Sequence, residues 1–435
     1  MNSKENWIDL CLGDLADGYR GVSYQPNHLL SEQTDRSVTL LRATNIQNGR
    51  LDFRDVQIVP ESIVKQTQKL KIGDVAVCMS NGSKRLVGKS AQFTGEHSAQ
   101  YTVGAFCAIF RPKPNADQAF VKQLFESEAF QSHIDISLAG SAINNLKNSD
   151  VENVPFCVPP KPTQSKIAII LQTIDEAIAQ TEALIEKYSL VKAGMMHDLF
   201  TRGLTPDGKL RPPREEAPDL YKETPMGWIP KEWKYDLLDK STDRRSGHTP
   251  SKSFPEYWNG GVKWVSLADS HRLDRLYIDD TDFEISTLGL QNSSAVLLPA
   301  GMVIMSRDAG IGKSAITTKP MAVSQHFMAW QCADKMDKYF LYYWLQLKKR
   351  MFENIAMGST ILTIGLSYFK RLKIAAPSDL DEQKQIGKRL KQADTLLFSL
   401  EEEVKKLKKQ KSGLMRDLLT GEVLVKANDP EAAHV

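Results

Sequence analysis

Residues 195–204 read MMHDLFTRGL and residues 414–423 read LMRDLLTGEV, so one ten-residue phrase recurs at an offset of 219. Carried backwards without a gap, the offset pairs Gln164 with Gln383, Ile167 with Ile386, Leu171 with Leu390 and Asp175 with Asp394. It also pairs Glu182 with Glu401, Lys192 with Lys411, Gly194 with Gly413 and Asp198 with Asp417. From 164 to 201 there are 12 identities in 38 positions, where chance gives only a few. A repeat of this length reports one structural unit written twice.

The repeated segment has the spacing of a long helix. With Ile167 as position a, Ile167, Ile174, Thr181, Tyr188 and Met195 fall at a, and Leu171, Ile178, Ile185, Lys192 and Leu199 at d. The second copy puts Ile386, Ala393, Leu400, Leu407 and Leu414 at a, with Leu390, Leu397, Val404, Lys411 and Leu418 at d. Five heptads of a/d spacing predict a coiled-coil seam rather than the stripe of one globular helix. At 1.5 Å per residue each helix is about 55 Å long. Lys192 and Lys411 occupy the same d position in the two copies, a polar interruption of the kind that sets register.

The ends are signalled as well. Pro159, Pro160 and Pro162 precede the first helix and Pro377-Ser378-Asp379 the second. Ser378 or Asp379 is the expected N-cap, with Asp381 or Glu382 as capping-box partner. Gly203 and Gly421 close the helices. Ahead of them the copies are related more weakly. Gly88-Lys89-Ser90-Ala91 matches Gly312-Lys313-Ser314-Ala315, and Gly140-Ser141 matches Gly358-Ser359. Short β-type runs (74–79, 105–110, 301–305, 326–330) broken by turn residues, then helical stretches such as 339–352, predict mixed α/β domains. The expected plan is a domain at 1–158, a helix at 159–204, a linker at 205–235, a second domain at 236–376, a second helix at 377–421 and a tail at 422–435. Residues 205–230 hold six prolines, which predicts an extended surface linker.

Two similar helices in one chain can pair about a pseudo-two-fold axis, as in an isologous dimer. The fold expected is therefore α/β (α+β): two mixed domains joined by two long helices that form an antiparallel coiled coil. Two diverged heads at a fixed separation suit a partner with two unlike sites along a line, and DNA is such a partner.

The chain has 435 residues with 41% apolar and 25% charged residues, an ordinary globular composition. The net charge of +3 does not mark a polyanion binder, so any nucleic-acid surface must be local. The five cysteines are odd in number and contain no C-x-x-C, so neither a disulfide framework nor a zinc site is indicated. The start MNSKENWIDL has no apolar h-region, and the strongly apolar run 295–305 is interrupted by Pro299 and Gly301. A cytoplasmic protein that neither crosses nor enters a membrane is the expectation.

The central PPKPTQSKIAIIL (159–171), the distal APSDLDEQKQIGKRL (376–390) and the helix exits HDLFTRGL and RDLLTGEV resemble the specificity subunit of type I restriction-modification enzymes (the HsdS family). So do MGWIPKEWKYDLL (226–238) and GHTPSKSFPEYWNGGVKWVS (247–266). The resemblance covers essentially the whole chain. It implies two target-recognition domains, each reading half of a split asymmetric sequence in double-stranded DNA. The helices would set the spacing of the halves and dock two methyltransferase subunits, with restriction and translocation subunits joining through the complex. It also implies a non-catalytic chain without a cofactor of its own, S-adenosylmethionine, ATP and magnesium belonging to the partner subunits.

The residues agree with an absence of catalytic machinery. Asp308-Ala-Gly-Ile-Gly-Lys-Ser314 ends like a P-loop, but Arg307 stands where the first glycine belongs, and Ser83 does so in the other copy. The β-branched stretch after Gly312 predicts a glycine turn between strands. No N-P-P-aromatic or F-x-G-x-G loop occurs, and the E-x-K of Glu382 to Lys384 falls at a helix start where capping explains the acids.

Sequence readout needs polar and cationic side chains on rigid turns. In the first domain the candidates are Ser80, Asn81, Lys84, Arg85 and Lys89, with Ser83 beside them, and a second run of Arg42, Asn45 and Gln47 around Thr44. In the second domain they are Arg307 and Lys313, near Ser306 and Asp308, and the loop of Arg244, Arg245, His248, Thr249 and Lys252. The interleaved Tyr257, Trp258 and Trp264 are expected to pack the core and loops rather than stack on bases. Gly140-Ser141 and Gly358-Ser359 read as turns. Two other function classes remain at this point: a single-chain DNA methyltransferase or nuclease, and a coiled-coil scaffold with no DNA role.

Overall fold

The computed structural model of the chain describes residue 4 and residues 6–95, 99–139, 144–357 and 362–425. It divides into two compact units, Met1–Thr181 with Glu403–Val435, and Glu182–Glu402. Each unit contains one globular domain, part of a first long helix, Lys161–Thr201, and part of a second, Leu380–Leu419.

In the first unit a four-stranded antiparallel sheet runs in the order Ala16–Arg20, Cys107–Pro112, Val75–Cys78, Ser90–Gln92. Its inner strands are apolar without alternation because both faces are covered. The period of two still sorts them. Val75, Val77, Ala108 and Phe110 enter a core with Phe120, Phe130 and the first helix's Ile167 and Leu171, while Ala76, Cys78, Cys107 and Ile109 enter a second core on the other face. A second sheet, Gln57–Pro60, Ser37–Leu41, Tyr101–Val103, has one antiparallel and one parallel pairing. Ile8–Cys11 and Pro155–Val158 pair at the base.

The second unit repeats this topology. Its main sheet runs Thr242–Ser246, Phe327–Cys332, Val303–Ser306, Ser314–Thr317, with Tyr277–Ile278 added in parallel at the edge. Its second sheet is Phe283–Ile285, Trp258–Val265, Ala322–Val323, again one antiparallel and one parallel pairing. Trp233–Leu237 and Lys373–Pro377 form the base pair of strands. The weak identities ahead of the helices thus mark one fold used twice. The Gly310 and Gly312 turn joins two antiparallel strands, and no helix follows it, so the P-loop ending is a hairpin turn.

A repeated glycine explains how the two sheets of each domain come so close. Val22 donates its N–H to Val103 O, and His248 donates its to Val323 O. A Cβ on Gly21 would fall 2.2 Å from Gly104 O, and one on Gly247 1.7 Å from Val323 O. Gly247→Ala should therefore force the sheets apart and lower stability by about 1–3 kcal/mol, read from the urea midpoint. An unchanged midpoint would show that the backbone yields freely there.

Repeated identities in the helices also acquire reasons. Asp117 caps Gln118–Glu126 by accepting from the N–H of Ala119 and Phe120, and Asp337 caps Lys338–Leu347 by accepting from Tyr339 and Phe340. Gln164 accepts the Asp117 N–H at 2.9 Å and donates to Pro159 O, and Gln383 accepts the Asp337 N–H at 2.9 Å and donates to Pro377 O. One glutamine in each copy therefore fastens the start of a long helix to the domain before it.

In the first unit Ile167 and Leu171 share a core with Met415, Leu418 and Leu419, and Lys411 pairs with Asp175 at 2.5 Å and Glu126 at 2.6 Å. In the second unit Lys192 pairs with Asp394, and twelve residues further on Leu204 donates its N–H to Glu382. Residue numbers rise along one helix as they fall along the other, so the helical segments within that unit are antiparallel. All a and d positions of the two heptad series are buried or half-buried. Gly203 and Gly421, at φ of +64° and +69°, adopt the left-handed conformation that ends a helix.

Of the two expected N-caps Asp379 is the one used, accepting from Asp381 N–H, while the Ser378 hydroxyl donates to Glu232 O and Glu382 turns to other partners. One expectation needs correction. Residues 205–230 are not an extended linker. They carry the hairpin Tyr221–Thr224/Gly227–Pro230, and Arg211, Tyr221 and Ile229 are buried. Pro218 opens a 3-10 turn and Pro230 closes a strand, and the prolines do not prevent packing.

Candidate nucleic-acid interface

The corner of the first domain is built where the strand Val75–Cys78 ends. Ser80 donates its N–H to Phe106 O at 3.1 Å, and the Asn81 side chain accepts from Ser83 N–H at 3.0 Å, which tightens the turn. Lys84 and Arg85 are exposed on the following 3-10 turn, and Lys89 is half-buried. Phe106 stands beside them, 68% exposed. The turn Gly104–Cys107 also touches the second polar run, because Gly104 donates its N–H to Leu41 O. In that run Arg42 is ion-paired with Asp55 at 2.8 Å and Gln47 donates to Thr44 O. Asn45 is buried, its amide oxygen accepting from Arg42 N–H and its nitrogen donating to Asp52 O and Arg54 O. It holds the loop in shape and has no face toward a base.

In the second domain several candidate cations are committed internally. Arg244 makes a two-pronged pair with Asp239, Arg245 pairs with Asp243 at 2.6 Å, and Lys313 donates to Ser270 O and Oγ. Arg307 donates to Gln325 O at 3.0 Å and to Ile364 O at 2.7 Å. The loop from His248 onward lies differently. Thr249 and the exposed Lys252 line an open cavity of about 660 Å³, whose walls include Trp258, Trp264, Gln325 and His326. The tryptophans pack edge to face at 5.2 Å, and their indole N–H groups donate to Ser251 O and His248 O. They pin the loop, in keeping with the packing role expected for them.

Sequence reasoning missed Gln325, His326 and the bond that joins His326 to Asp308 at 2.5 Å. Asp308 lies near one candidate turn, and its partner is 18 residues away on the turn before Phe327–Cys332. Gly140-Ser141 and Gly358-Ser359 lie outside the described residues. Burial pushes the thiols of Cys107 and Cys332 up to about 12, so neither is a nucleophile at neutral pH. Glu382 of the E-x-K accepts from Arg211, Trp233 and Leu204, and Lys384 pairs with Asp381.

Comparisons with known proteins bear on the duplicated fold. The type I restriction modification DNA specificity domain profile matches residues 4–187 and 230–409, one match for each domain with the helix after it. The type I restriction enzyme EcoKI specificity subunit of Escherichia coli K12 is 33% identical over 184 residues, 42% of this chain and 39% of that protein. The chain thus spans about two fifths of the length of the first curated relatives it matches. A putative type I restriction enzyme specificity subunit of Methanocaldococcus jannaschii, MjaX, is 25% identical over 433 residues, 97% of this chain and 95% of that one. The solved S subunit of a type I restriction-modification system from M. genitalium has the same fold at TM-score 0.59 and 15% identity, covering 96% of this chain and 97% of that one. With the profile matched in both copies and the shared topology, the chain belongs to the type I restriction modification DNA specificity domain family.

Proposed function

We propose that this chain is the DNA-sequence specificity subunit of a type I restriction-modification complex. Each domain reads one half of a bipartite asymmetric site in double-stranded DNA. The two long helices set the distance between halves and dock two methyltransferase subunits, through which the restriction subunits join. The chain itself is non-catalytic and works in the cytoplasm, and S-adenosylmethionine, ATP and magnesium are held by its partners. On this reading the domains correspond to 1–158 and 236–376, the helices to 159–204 and 377–421.

The observation that carries the reading is the pairing of one topology with two surface chemistries. The strands and their order are repeated, while the corner turns differ: Ala105 and Phe106 in one domain, Gln325 and His326 in the other. A duplicated fold with diverged turns suits two different half-sites. The candidates for contact outside the ion pairs are Ser80, Asn81, Lys84, Arg85 and Lys89 in the first domain, and Thr249, Lys252 and the His248 loop in the second.

Replacing residues 236–376 by the corresponding domain of another family member should change one half of the methylated sequence and leave the other. Mapping of methylated adenines in cells carrying the hybrid reads this directly. A change in both halves overturns the two-head arrangement. Four residues inserted into one helix should lengthen the spacer and leave both half-sites as they were.

A further inference from the structure

The tip of the turn before Phe327–Cys332 is held by a chain of hydrogen bonds. Phe327 donates its N–H to Ser324 O at 3.1 Å, which puts Gln325 and His326 at the two central positions of the turn. Arg307 braces it, its N–H donating to His326 O at 2.9 Å and its Nε to Gln325 O. The side chains then form a relay. Thr363 donates its hydroxyl to Asp308 Oδ1, and His326 Nδ1 donates to Asp308 Oδ2 at 2.5 Å. His326 Nε2 lies 3.3 Å from Gln325 Nε2, and the Thr249 hydroxyl is bonded to Gln325 Oε1.

The relay fixes which way the glutamine amide faces. A carboxylate only accepts, so Nδ1 carries a proton, and the Gln325 amide nitrogen faces Nε2 while its oxygen faces Thr249. A primary amide has two N–H donors and two lone pairs. The relay uses one of each and leaves one donor and one acceptor on an exposed side chain. That pair is the complement of adenine in the major groove, which offers N7 as acceptor and N6–H as donor.

We infer that Gln325, oriented by Thr249, His326 and Asp308, reads an adenine in the half-site recognised by the second domain; this rests on the DNA-specificity reading above. The exposed Lys252 on the rim of the same cavity is placed for a phosphate. The first domain supports the assignment by contrast. Met79 donates its N–H to Phe106 O as Arg307 does to His326 O, and Leu146 donates to Met79 O as Ile364 does to Arg307 O. These bonds make Ala105, Phe106, Ser80 and Asn145 the counterparts of Gln325, His326, Asp308 and Thr363. No relay is possible with those residues, and an exposed phenyl ring takes the place. One architectural position thus carries a hydrogen-bonding head in one domain and an apolar head in the other, as two unlike half-sites require.

The test is selection of bound sequences from a random duplex DNA library by the complex that co-purifies with the tagged full-length chain. Wild type should enrich a two-part motif with an adenine in one half; no motif overturns the DNA-specificity reading itself. With Gln325→Ala, preference for that adenine should fall by about tenfold to a hundredfold, the other half being unchanged. Gln325→Glu keeps the acceptor and removes the donor, so preference should move from adenine toward cytosine, whose N4–H2 donates. Thr249→Ala, which frees the amide to rotate, should weaken the same position alone. A motif whose every position survives both Gln325 substitutions, or one in which the responding position is not adenine, overturns the inference while leaving the specificity function standing. Should Gln325→Ala abolish enrichment altogether, Gln325→Glu decides: a shift to cytosine supports the assignment and retained adenine overturns it.

Discussion

Glu382→Ala should destabilise the second unit by about 3–5 kcal/mol, the usual cost of removing one partner from a buried ion pair. Glu382 and Arg211 have side chains only 10% and 7% exposed. Oε1 accepts from Arg211 Nη1 at 2.7 Å, Leu204 N–H at 2.8 Å and Trp233 Nε1 at 3.1 Å, and Oε2 accepts from Arg211 Nη2 at 3.2 Å. Truncation leaves a buried guanidinium, a buried indole N–H and a main-chain donor without that acceptor. Glu232 is 77% exposed and still holds Arg211, but solvent screens it. Three elements meet at this carboxylate: the segment after the first helix, the base strand Trp233–Leu237 and the start of the second helix. Urea unfolding should show a lower midpoint, and hydrogen exchange should show peptides around 204–235 losing protection first. Glu382→Gln, which can still accept from one donor, should fall between. A Glu382→Ala protein within about 0.5 kcal/mol of wild type would mean the site relaxes around the loss.

The same carboxylate shows where the sequence stops being informative. Its position at a helix start, three residues after the potential cap Asp379, is consistent with a capping box, and local spacing offers no sign that its partners are 149 to 178 residues away. The long helices were legible because a heptad pattern is a local property read against a 3.6-residue turn. The doubling of the domains was legible from the 219-residue offset even though the strands are short. Arg211 was lost among prolines and acids whose composition is that of a surface linker. Ion pairs and buried amides between distant segments leave no periodic trace.

Site residues divide in the same way. The turns were found, because glycines and polar runs after apolar strands mark them, but the role of each side chain on them was not. Asn45, Arg244, Arg307 and Lys313 have the residue types of base readers, and each is hydrogen-bonded within its own domain. Gln325 and His326 sit in an unremarkable Ser-Gln-His-Phe stretch, and only the fold brings Asp308 and Thr249 to them. One signal was available: the two copies differ in chemistry at the turn between two matched strands, Ala105-Phe106 against Gln325-His326, and a comparison of strands rather than helices reaches it.

The repeated d-position lysines give the other large expected effect. Asp175 accepts from Lys122 at 2.6 Å, Lys411 at 2.5 Å and Gln123 at 3.0 Å, so Asp175→Asn should cost the first unit about 2–3 kcal/mol at neutral pH, the range for hydrogen bonds to a charged group. Glu126, bound to both lysines, keeps the loss below that at Glu382. The pH dependence has a definite sign. Burial opposes ionisation of Asp175, but Lys122 and Lys411 outweigh it and hold the carboxyl below its ordinary range. Its contribution is then complete above the unfolded value of about 3.9 and is lost as pH falls through the lower folded value. Burial likewise opposes the charge on Lys411, and Glu126 and Asp175 outweigh it and raise the ammonium above its ordinary range. That contribution is complete below about 10.4 and lost only as pH rises through the folded value. The gap between wild type and Asp175→Asn should therefore be flat across neutral pH and close as pH falls below about 4. A gap that persists undiminished in acid would assign the loss to packing of the side chain and not to its charge, and the lysine at d would then set register by shape alone.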